Sequence, residues 1–320
     1  MGTISREPVL KRIFMVICFA FQYVYILLFR ELPLLFYSAR KSVTNQIVVI
    51  TGGGRGLGKG LAKQFAIKEH AIVCILDINE NDGLESVSEI VDEGGQAYFF
   101  KCDVSDSESV RACAKSIYSS PELGHVDILI CNAAVLRMGT VLDLSDADFK
   151  TTTNVNILGY IYAVKSFVGD MMNRNRGQIV AIGSVCSHYG EYLGSAYCMS
   201  KFAVRGFMES LHMELIEKNN NITTTQIYPY FMDTPFIAEK QITPFSTFYE
   251  LLPLDLCVKK ITDAILREEL YCYIPWHMQF LCVFCKCLAS KHIIPAARRL
   301  FNFRYAPGEK QLMDAKLNYA

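Results

Sequence analysis

A glycine-rich segment between an apolar run and an amphipathic run constrains the fold more than any other feature. The apolar run is Gln46–Thr51, and apolar residues then recur at helical spacing over Gly58–Lys68. Glycines let a backbone turn with positive φ, and a helix N-terminus presents unpaired N–H groups to a phosphate. We therefore expect a strand, a pyrophosphate-binding loop and a helix. The loop residues expected to contact the ligand are Thr51, Gly52, Gly54, Arg55, Gly56, Leu57 and Gly58.

Apolar strand-like runs alternate with helical segments along the middle of the chain. After the first strand the predicted strands are AIVCILD, AYFFKCDV, VDILICN, QIVAIGS, TTTQIYP and LYCYI. Fully apolar strands that alternate with helices indicate a parallel sheet covered on both faces. The predicted fold class is α/β, a Rossmann-type doubly wound sheet that forms a single domain over residues 45–275. Residues 1–44 are predicted to be a hydrophobic anchor and linker, and residues 276–320 an apolar or amphipathic segment and tail.

Composition excludes several classes of protein. Hydrophobic residues make up 51% of the chain and charged residues 20%, which excludes intrinsic disorder. Lys plus Arg and Asp plus Glu both number 32, so there is no net basic field to attract nucleic acid. The 12 cysteines are spread along the chain, several inside apolar runs, which favours burial in a reducing compartment. The cluster Cys282, Cys285 and Cys287 lacks a second ligand pair at zinc spacing, so no metal is expected.

Two apolar segments lie near the ends. Ile13–Phe29 is just long enough to cross a bilayer, and no small-residue cleavage site follows it. An uncleaved membrane anchor is favoured over a cleaved signal peptide, and the remaining alternative is an ordinary helix of the hydrophobic core. Tyr271–Leu288 contains Pro275, His277 and Lys286, so it is a poor spanning helix. A flap over a lipophilic substrate, an interfacial helix and a buried core helix remain open for it.

Asp77 ends the second predicted strand, 21 residues after Gly56. An acidic residue at this spacing can accept hydrogen bonds from the adenosine ribose of a dinucleotide. Asp77 would repel the 2′-phosphate of NADP, whereas Arg55 could attract it. NAD is therefore preferred over NADP, and a helix N-cap is the alternative role for Asp77.

A tyrosine and a lysine lie four residues apart, at Tyr197 and Lys201, in a predicted helix, so their side chains share one helical face. Ser184 ends a predicted strand, where ligands sit in open α/β sheets. Hydride transfer from an alcohol needs a group that takes the hydroxyl proton, and a nearby ammonium can stabilise a phenolate in that role. Ser184 could hold the substrate oxygen, and Asn156 could position a water behind Lys201.

These motifs together resemble the short-chain dehydrogenase/reductase superfamily over about residues 45–275. The motifs are TGGGRGLG, Asp77, Cys102-Asp103-Val104, Cys131-Asn132-Ala133-Ala134, Val155-Asn156, Ser184, YCMSK and Tyr228-Pro229. The resemblance implies that Asp103 and Val104 lie at the adenine, Asn132 at the loop floor and Thr234 near the nicotinamide amide. It also assigns the tetrad Asn156, Ser184, Tyr197 and Lys201. Cys131 and Ala134 depart from the usual residues without removing a catalytic group, and Tyr230 stands where the family usually has glycine, which could reshape the loop before Thr234.

Within the superfamily, the chain looks most like the membrane-associated retinol dehydrogenase and retinal reductase branch. The resemblance implies NAD(P)-dependent interconversion of an alcohol and a carbonyl on a lipophilic substrate, most simply retinol and retinal. Ser184 and Tyr197 would bind the substrate beside an aromatic-rich loop, comprising Tyr230, Phe231, Phe236, Phe245 and Phe248. Alternatives are a 17-beta-hydroxysteroid or fatty-aldehyde dehydrogenase, and a nucleotide-binding scaffold without activity. We expect the endoplasmic reticulum membrane or lipid droplets, a cytosolic catalytic domain and a homodimer.

Overall fold

The structure is a computed structural model that describes residues 8–31, 39–218, 220–234, 236, 242–246, 250–285, 292–300 and 304–307. It divides into two compact units, Met1–Lys41 and Ser42–Ala320. The first unit contains helix α1, Val9–Ile26, which continues as a π-helical turn over Leu27–Glu31. The segment Val9–Phe29 has a mean hydropathy of 2.0 and is long and apolar enough to cross a membrane. None of its described side chains is buried.

A parallel sheet organises the second unit. Its strands are β1 Ile47–Thr51, β2 Ile72–Asp77, β3 Gln96–Lys101, β4 Ile128–Cys131, β5 Gly177–Ile182, β6 Ile222–Pro229 and β8 Tyr271–Ile274. Strand β7, Ile242–Phe245, belongs to a second sheet. The strand order of the parallel sheet is β3-β2-β1-β4-β5-β6-β8, and every neighbouring pair is parallel. The five central strands, from β2 to β6 in this order, are almost entirely buried because helices cover both faces, whereas the edge strand β3 is partly exposed. The predicted doubly wound α/β fold is confirmed.

The described part of this unit contains eight helices, six of which pack on the two faces of the sheet. They are α2 Gly56–Lys63, α3 Glu80–Asp92, α4 Ser107–Ser119, α5 Asp146–Thr153, α6 Gly159–Arg174, α7 Ser195–Glu217, α8 Leu254–Leu266 and α9 Ile293–Leu300. One apolar cluster joins α4, α6 and α7 to the sheet around Ile117 and Phe167. The other joins α2, α3 and α8 to the opposite face around Phe65 and Ile261. Their side chains recur every three or four residues, which produces the apolar helix faces seen in the sequence.

The strand order reverses at β1, which lies between β2 and β4. In such sheets the loops after the neighbouring strands separate and leave a crevice at the carboxyl edge. The opposite end of β1 is held by Asp127, whose Oδ2 accepts a hydrogen bond from Ile47 N at 3.0 Å. Because β1, β4 and β5 are parallel neighbours, the loops that follow them lie at the same edge of the sheet.

Two details differ from the sequence expectations, and a third concerns the segment Tyr271–Leu288. The predicted helix over residues 146–174 contains a π-helical turn at Asn154–Leu158, between α5 and α6. A second sheet, unforeseen, pairs β7 Ile242–Phe245 with β9 Arg304–Pro307 in antiparallel register. In the segment expected to be a flap, an interfacial helix or a core helix, Met278 and Cys282 are buried, whereas Phe280 is exposed. Phe248, Lys286, Cys287 and Leu288 lie outside the described residues.

Candidate active site

The glycine loop joins β1 to the first turn of α2. Gly52 and Gly56 have φ values of 66° and 56°, a conformation that favours glycine. A side chain at Gly58 would place its Cβ 1.9 Å from the Gly52 carbonyl oxygen, so the helix approaches the loop too closely for any other residue. The loop therefore leaves backbone and helix N-terminus open toward the crevice, as the sequence predicts.

Asn132, at the end of β4, fastens this loop to the neighbouring strand. Its Nδ2 donates hydrogen bonds to the carbonyl oxygens of Thr51 at 3.0 Å and Gly52 at 2.9 Å. In return, Thr51 Oγ1 accepts from the backbone N of Asn132 at 3.0 Å and of Ala133 at 3.1 Å. Asn132 thus lies beneath the loop, where the resemblance places it.

Asp77 lies at the carboxyl end of β2 with its carboxylate against the glycine loop. Its Oδ2 accepts a hydrogen bond from Gly54 N at 2.9 Å, and its Oδ1 accepts from Asn79 N at 3.0 Å. The N-cap of α3 is Asn79, whose side chain accepts from Asn81 N and Asp82 N, so the alternative role of Asp77 as helix cap is wrong. A carboxylate has about four acceptor positions, which leaves capacity for a ligand hydroxyl.

One cavity of about 690 Å³ runs along this edge of the sheet. The residues predicted to bind the cofactor that line it are Gly52, Arg55, Gly56, Leu57, Gly58, Asp77, Asp103, Val104, Asn132, Tyr197, Lys201 and Thr234. Thr51 and Gly54 support the loop through the hydrogen bonds above. Asp103 Oδ1 accepts from the backbone N and the hydroxyl of Ser105, at 2.9 and 2.7 Å. The structure therefore brings the sequence-predicted cofactor residues to one crevice.

Lys201 and Tyr197 lie on α7 and face the end of β5. The Lys201 ammonium donates to the Ile182 carbonyl oxygen at 2.8 Å and contacts Tyr160 Oη at 3.5 Å. It lies 5.6 Å from the centre of the Tyr197 ring. Lys201 is buried, which lowers its pKa to about 8, whereas Tyr197 is partly buried at the cavity wall. Burial also raises the pKa of Tyr197 well above its usual value, although a hydrogen bond with Ser184 opposes that rise.

Ser184 begins a 3-10 turn, Val185–Ser187, directly after β5. Its Oγ accepts a hydrogen bond from Cys186 N at 3.1 Å, which fixes the hydroxyl at the cavity wall beside Tyr197. Ser184 and Tyr197 can therefore present two hydroxyls to one substrate oxygen, as the sequence predicts.

Asn156 lies in the π-helical turn, and its side chain is fully buried. Its Oδ1 accepts from Val135 N at 2.7 Å, and its Nδ2 donates to Val135 O at 2.9 Å and to Ser200 Oγ at 3.1 Å. π-helical turns occur often at functional sites because they shift a side chain out of helical register. Here the turn ties the loop after β4 to the helix that carries Tyr197.

Sequence reasoning missed Tyr160, which lies under the site on α6. Its hydroxyl donates to Ile182 O at 2.9 Å, and the Lys201 ammonium lies 5.3 Å from its ring centre. A tyrosine on the buried face of a helix gives no sequence signal that separates it from ordinary core. Of the expected aromatic loop, Tyr230, Phe231 and Phe236 line the cavity.

The sequence model of the family described as "short chain dehydrogenase" matches residues 46–243. This chain belongs to that family. Epidermal retinol dehydrogenase 2 of Mus musculus is 36% identical over 76% of this chain and 78% of its own length. Estradiol 17-beta-dehydrogenase 11 of Macaca fascicularis is 31% identical over 82% of this chain and 85% of its own length.

Solved short-chain dehydrogenases share the fold. One from Burkholderia phymatum, in complex with NAD, superposes with a TM-score of 0.68 at 22% identity and covers 75% of this chain and 92% of its own. A metagenomic oxidoreductase in complex with NADP gives 0.55 at 27% identity over 59% of this chain and 83% of its own. The chain is accordingly an NAD(P)-dependent oxidoreductase of the alcohol dehydrogenase type.

Proposed function

We propose that this short-chain dehydrogenase interconverts all-trans-retinol and retinal, with NAD as the preferred cofactor. The observation that carries the proposal is the placement of Ser184, Tyr197 and Lys201 at a cavity with an aromatic wall. The Phe236 ring lies 6.2 Å from the Tyr197 ring, centre to centre. An apolar wall at the reacting end suits a long hydrocarbon with a terminal alcohol. The similarity to epidermal retinol dehydrogenase 2 supports the same substrate class.

In this proposal Tyr197 exchanges a proton with the substrate oxygen, and Ser184 donates a hydrogen bond to that oxygen. Lys201 provides positive charge beneath Tyr197, and Asn156 holds the loop after β4 against α7 and a relay water behind Lys201. Burial by the protein raises the pKa of Tyr197, opposite to what a base at neutral pH requires. A bound oxidised nicotinamide would accept the hydride and add positive charge near Tyr197.

The residues present fit such a cofactor. The positive-φ glycines and the start of α2 can approach a pyrophosphate, and Asp77 can accept from the ribose hydroxyls. Asp103 and Val104 are proposed at the adenine, and Thr234 at the nicotinamide amide. Because Asp77 is held at the loop by two backbone N–H groups, a ribose 2′-phosphate would meet a fixed negative charge. This favours NAD over NADP.

The apolar helix α1 supports a membrane location. We propose that residues 1–44 anchor the enzyme in the endoplasmic reticulum membrane or at lipid droplets, with residues 45–275 as a cytosolic catalytic domain. Residues 276–320 would then form a C-terminal segment beside it, and a homodimer is the proposed assembly. A lipophilic substrate dissolved in the membrane would be available close to its enzyme.

The test uses membranes that contain the full chain. Oxidation of all-trans-retinol and reduction of retinal are measured with each cofactor, with membranes that contain the Tyr197→Phe variant as the blank. We expect retinoid turnover that depends on Tyr197 and is faster with NAD than with NADP. Absence of Tyr197-dependent retinoid turnover would refute the proposed substrate.

A 17-beta-hydroxysteroid is the second candidate substrate. The long similarity to estradiol 17-beta-dehydrogenase 11 favours it. The same membranes are assayed with estradiol and NAD, and turnover of estradiol at higher kcat/KM than retinol would favour this candidate.

A further inference from the structure

We infer that His188 is a positioning residue, which holds the Ser184 turn at a fixed distance from the helix that carries Tyr197 and Lys201. The inference rests on the oxidoreductase activity and on the proposed roles of Ser184 and Tyr197, and it does not depend on which alcohol is the substrate. It concerns a buried polar network that contacts neither the cavity nor the reacting groups.

His188 follows the 3-10 turn that begins at Ser184. Ser187 N donates to Ser184 O at 2.8 Å, and His188 N donates to Val185 O at 3.0 Å. The turn is therefore a short, hydrogen-bonded segment with Ser184 at one end and the imidazole at the other. The imidazole is 2% exposed, so its polar atoms depend on protein partners.

The imidazole bridges two different elements. Its Nδ1 lies 2.9 Å from Nη1 of Arg205 on α7, and its Nε2 lies 3.2 Å from the hydroxyl of Tyr273 on β8. Its ring meets the Tyr228 ring of β6 edge to face, with 4.6 Å between centres. One side chain thus links the turn after β5 to α7 and to the two last strands of the sheet.

Arg205 fixes the protonation state of His188. A guanidinium can only donate hydrogen bonds, so Nδ1 of His188 must accept and the ring must be neutral. Nε2 then carries the proton and donates to the Tyr273 hydroxyl. Arg205 is itself held by Glu209, whose Oε1 accepts from its Nε at 2.7 Å. The four side chains form one connected network of hydrogen bonds from α7 to β8, in which Arg205 donates to both Glu209 and His188.

Arg205 lies on the same helix as Tyr197 and Lys201, so its position is fixed relative to theirs. Tyr197, Lys201 and Arg205 follow one another at intervals of four along α7, so they share a helical face. The bond between Arg205 and His188 therefore sets the separation between the Ser184 turn and that face. A displacement of about 1 Å between catalytic groups can lower the rate about 100-fold.

The inference predicts a loss of kcat without a loss of cofactor binding. His188→Leu and Arg205→Met are each expected to lower kcat about 10-fold to 100-fold, because Ser184 and Tyr197 no longer meet one substrate oxygen together. The double variant should be no slower than the slower single variant, since both changes break the same bond. His188→Gln should restore most of kcat, because its amide can accept from Arg205 and donate to Tyr273.

The experiment uses the full chain in detergent. The probes are all-trans-retinol, estradiol and 1-decanol, and kcat is measured with whichever of them the wild-type enzyme oxidises. NADH binding is titrated by fluorescence, and kcat is expressed per NADH-binding site so that unfolded enzyme does not count. Hydrogen exchange of the peptide that contains Ser184 is measured in parallel and needs no substrate; it should be faster in His188→Leu and normal in His188→Gln.

His212→Leu is the matched control, because His212 also lies on α7 and its ring bonds a buried threonine, Thr224, at 2.9 Å, away from the Ser184 turn. It should keep kcat and the exchange of the Ser184 peptide.

The inference is overturned if kcat per site is unchanged in both single variants, if their losses multiply in the double variant, or if His212→Leu loses as much. A wild-type enzyme that oxidises estradiol or 1-decanol but not retinol refutes the proposed substrate and leaves this test intact. If it oxidises none of the three, the exchange experiment decides alone, and unchanged exchange in His188→Leu overturns the inference.

Discussion

Gly54 and Asp77 are joined by a hydrogen bond of 2.9 Å from the backbone N of the loop glycine to Oδ2 of the aspartate. The bond spans two adjacent strands of the sheet and places a carboxylate at the proposed ribose site. A Cβ at Gly54 would lie only 2.9 Å from that oxygen, so the contact depends on glycine. Asp77 therefore braces the loop, and in the proposed function it also selects the cofactor.

Asp77→Ser should move cofactor preference toward NADP. We expect kcat/KM with NAD to fall about 10-fold to 100-fold, since a hydrogen bond to a charged group contributes about 1.5–3 kcal/mol. The value with NADP should fall less or rise, because the repulsion of the 2′-phosphate is removed. The measurement is the ratio of the two kcat/KM values. Asp92→Ser, at the exposed end of α3, is the control, and an unchanged ratio in Asp77→Ser would contradict the assignment.

Tyr197→Phe should remove the proton exchange and leave the rest of the site in place. Because general acid–base catalysis contributes about 100-fold to 10,000-fold, kcat should fall by at least that range. NADH affinity should stay within about 3-fold, since the phenyl ring retains the packing against Phe236. Tyr98→Phe, on the partly exposed strand β3, should behave as wild type. Substantial turnover in Tyr197→Phe would show that another group exchanges the proton.

Thr51→Val should loosen the floor of the glycine loop. Valine keeps the shape of threonine but cannot accept the two backbone N–H groups of Asn132 and Ala133. An unpaired buried donor costs about 1–3 kcal/mol, so chemical denaturation should show at least that loss in the free energy of unfolding. The Kd of NADH should rise as well, because Gly52 is bonded to the same asparagine.

Thr153→Val is the control for Thr51→Val. Thr153 Oγ1 bonds only within its own helix in the described contacts, to Phe149 O at 2.8 Å. Equal losses in the two valine variants would mean that Thr51 has no special role.

The sequence predicted the elements whose residues follow a local periodic pattern. Strand and helix positions follow from apolar runs and helical spacing, and the buried β1 and the face of α7 lie where those patterns place them. The glycine loop, Asp77 and Tyr197 were found for a related reason, since each lies at or beside the end of an element that could be located. Sheet topology then brings those ends together.

What the sequence did not reveal depends on contacts between distant segments. Asn156 bonds Val135 across 21 residues, and the imidazole of His188 bonds Tyr273 across 85. Neither contact leaves a periodic trace, because each involves one side chain in a loop or turn. The pairing of β7 with β9 was missed because it joins two strands of only four residues each, far apart in the sequence. For Asp77 the sequence predicted a ribose contact or a helix N-cap, but not its bond to Gly54. That bond forms only because the loop folds back onto β2.

Lys201 should make the stability of the enzyme rise with pH. Burial lowers its pKa from 10.5 to about 8, so between these values the unfolded chain binds more protons than the folded chain. The free energy of unfolding must then increase with pH over that window, by about 2 kcal/mol between pH 7 and 9.5 at about 1.4 kcal/mol per pKa unit. Lys201→Met cannot show this rise, because methionine carries no proton.

The measurement is the free energy of unfolding of wild type minus that of Lys201→Met, in detergent, at several pH values below 9.5. Taking this difference cancels the contribution of the buried tyrosines to the pH dependence of stability. Burial raises the pKa of Tyr160, for example, so that such tyrosines lower the free energy of unfolding at still higher pH. Lys218→Met, at the exposed end of the same helix, removes an equal charge without burial and should give a flat difference. A flat difference for Lys201→Met as well would mean that the ammonium is solvated in the folded enzyme, and Lys201 could not then act as a buried charge beneath Tyr197.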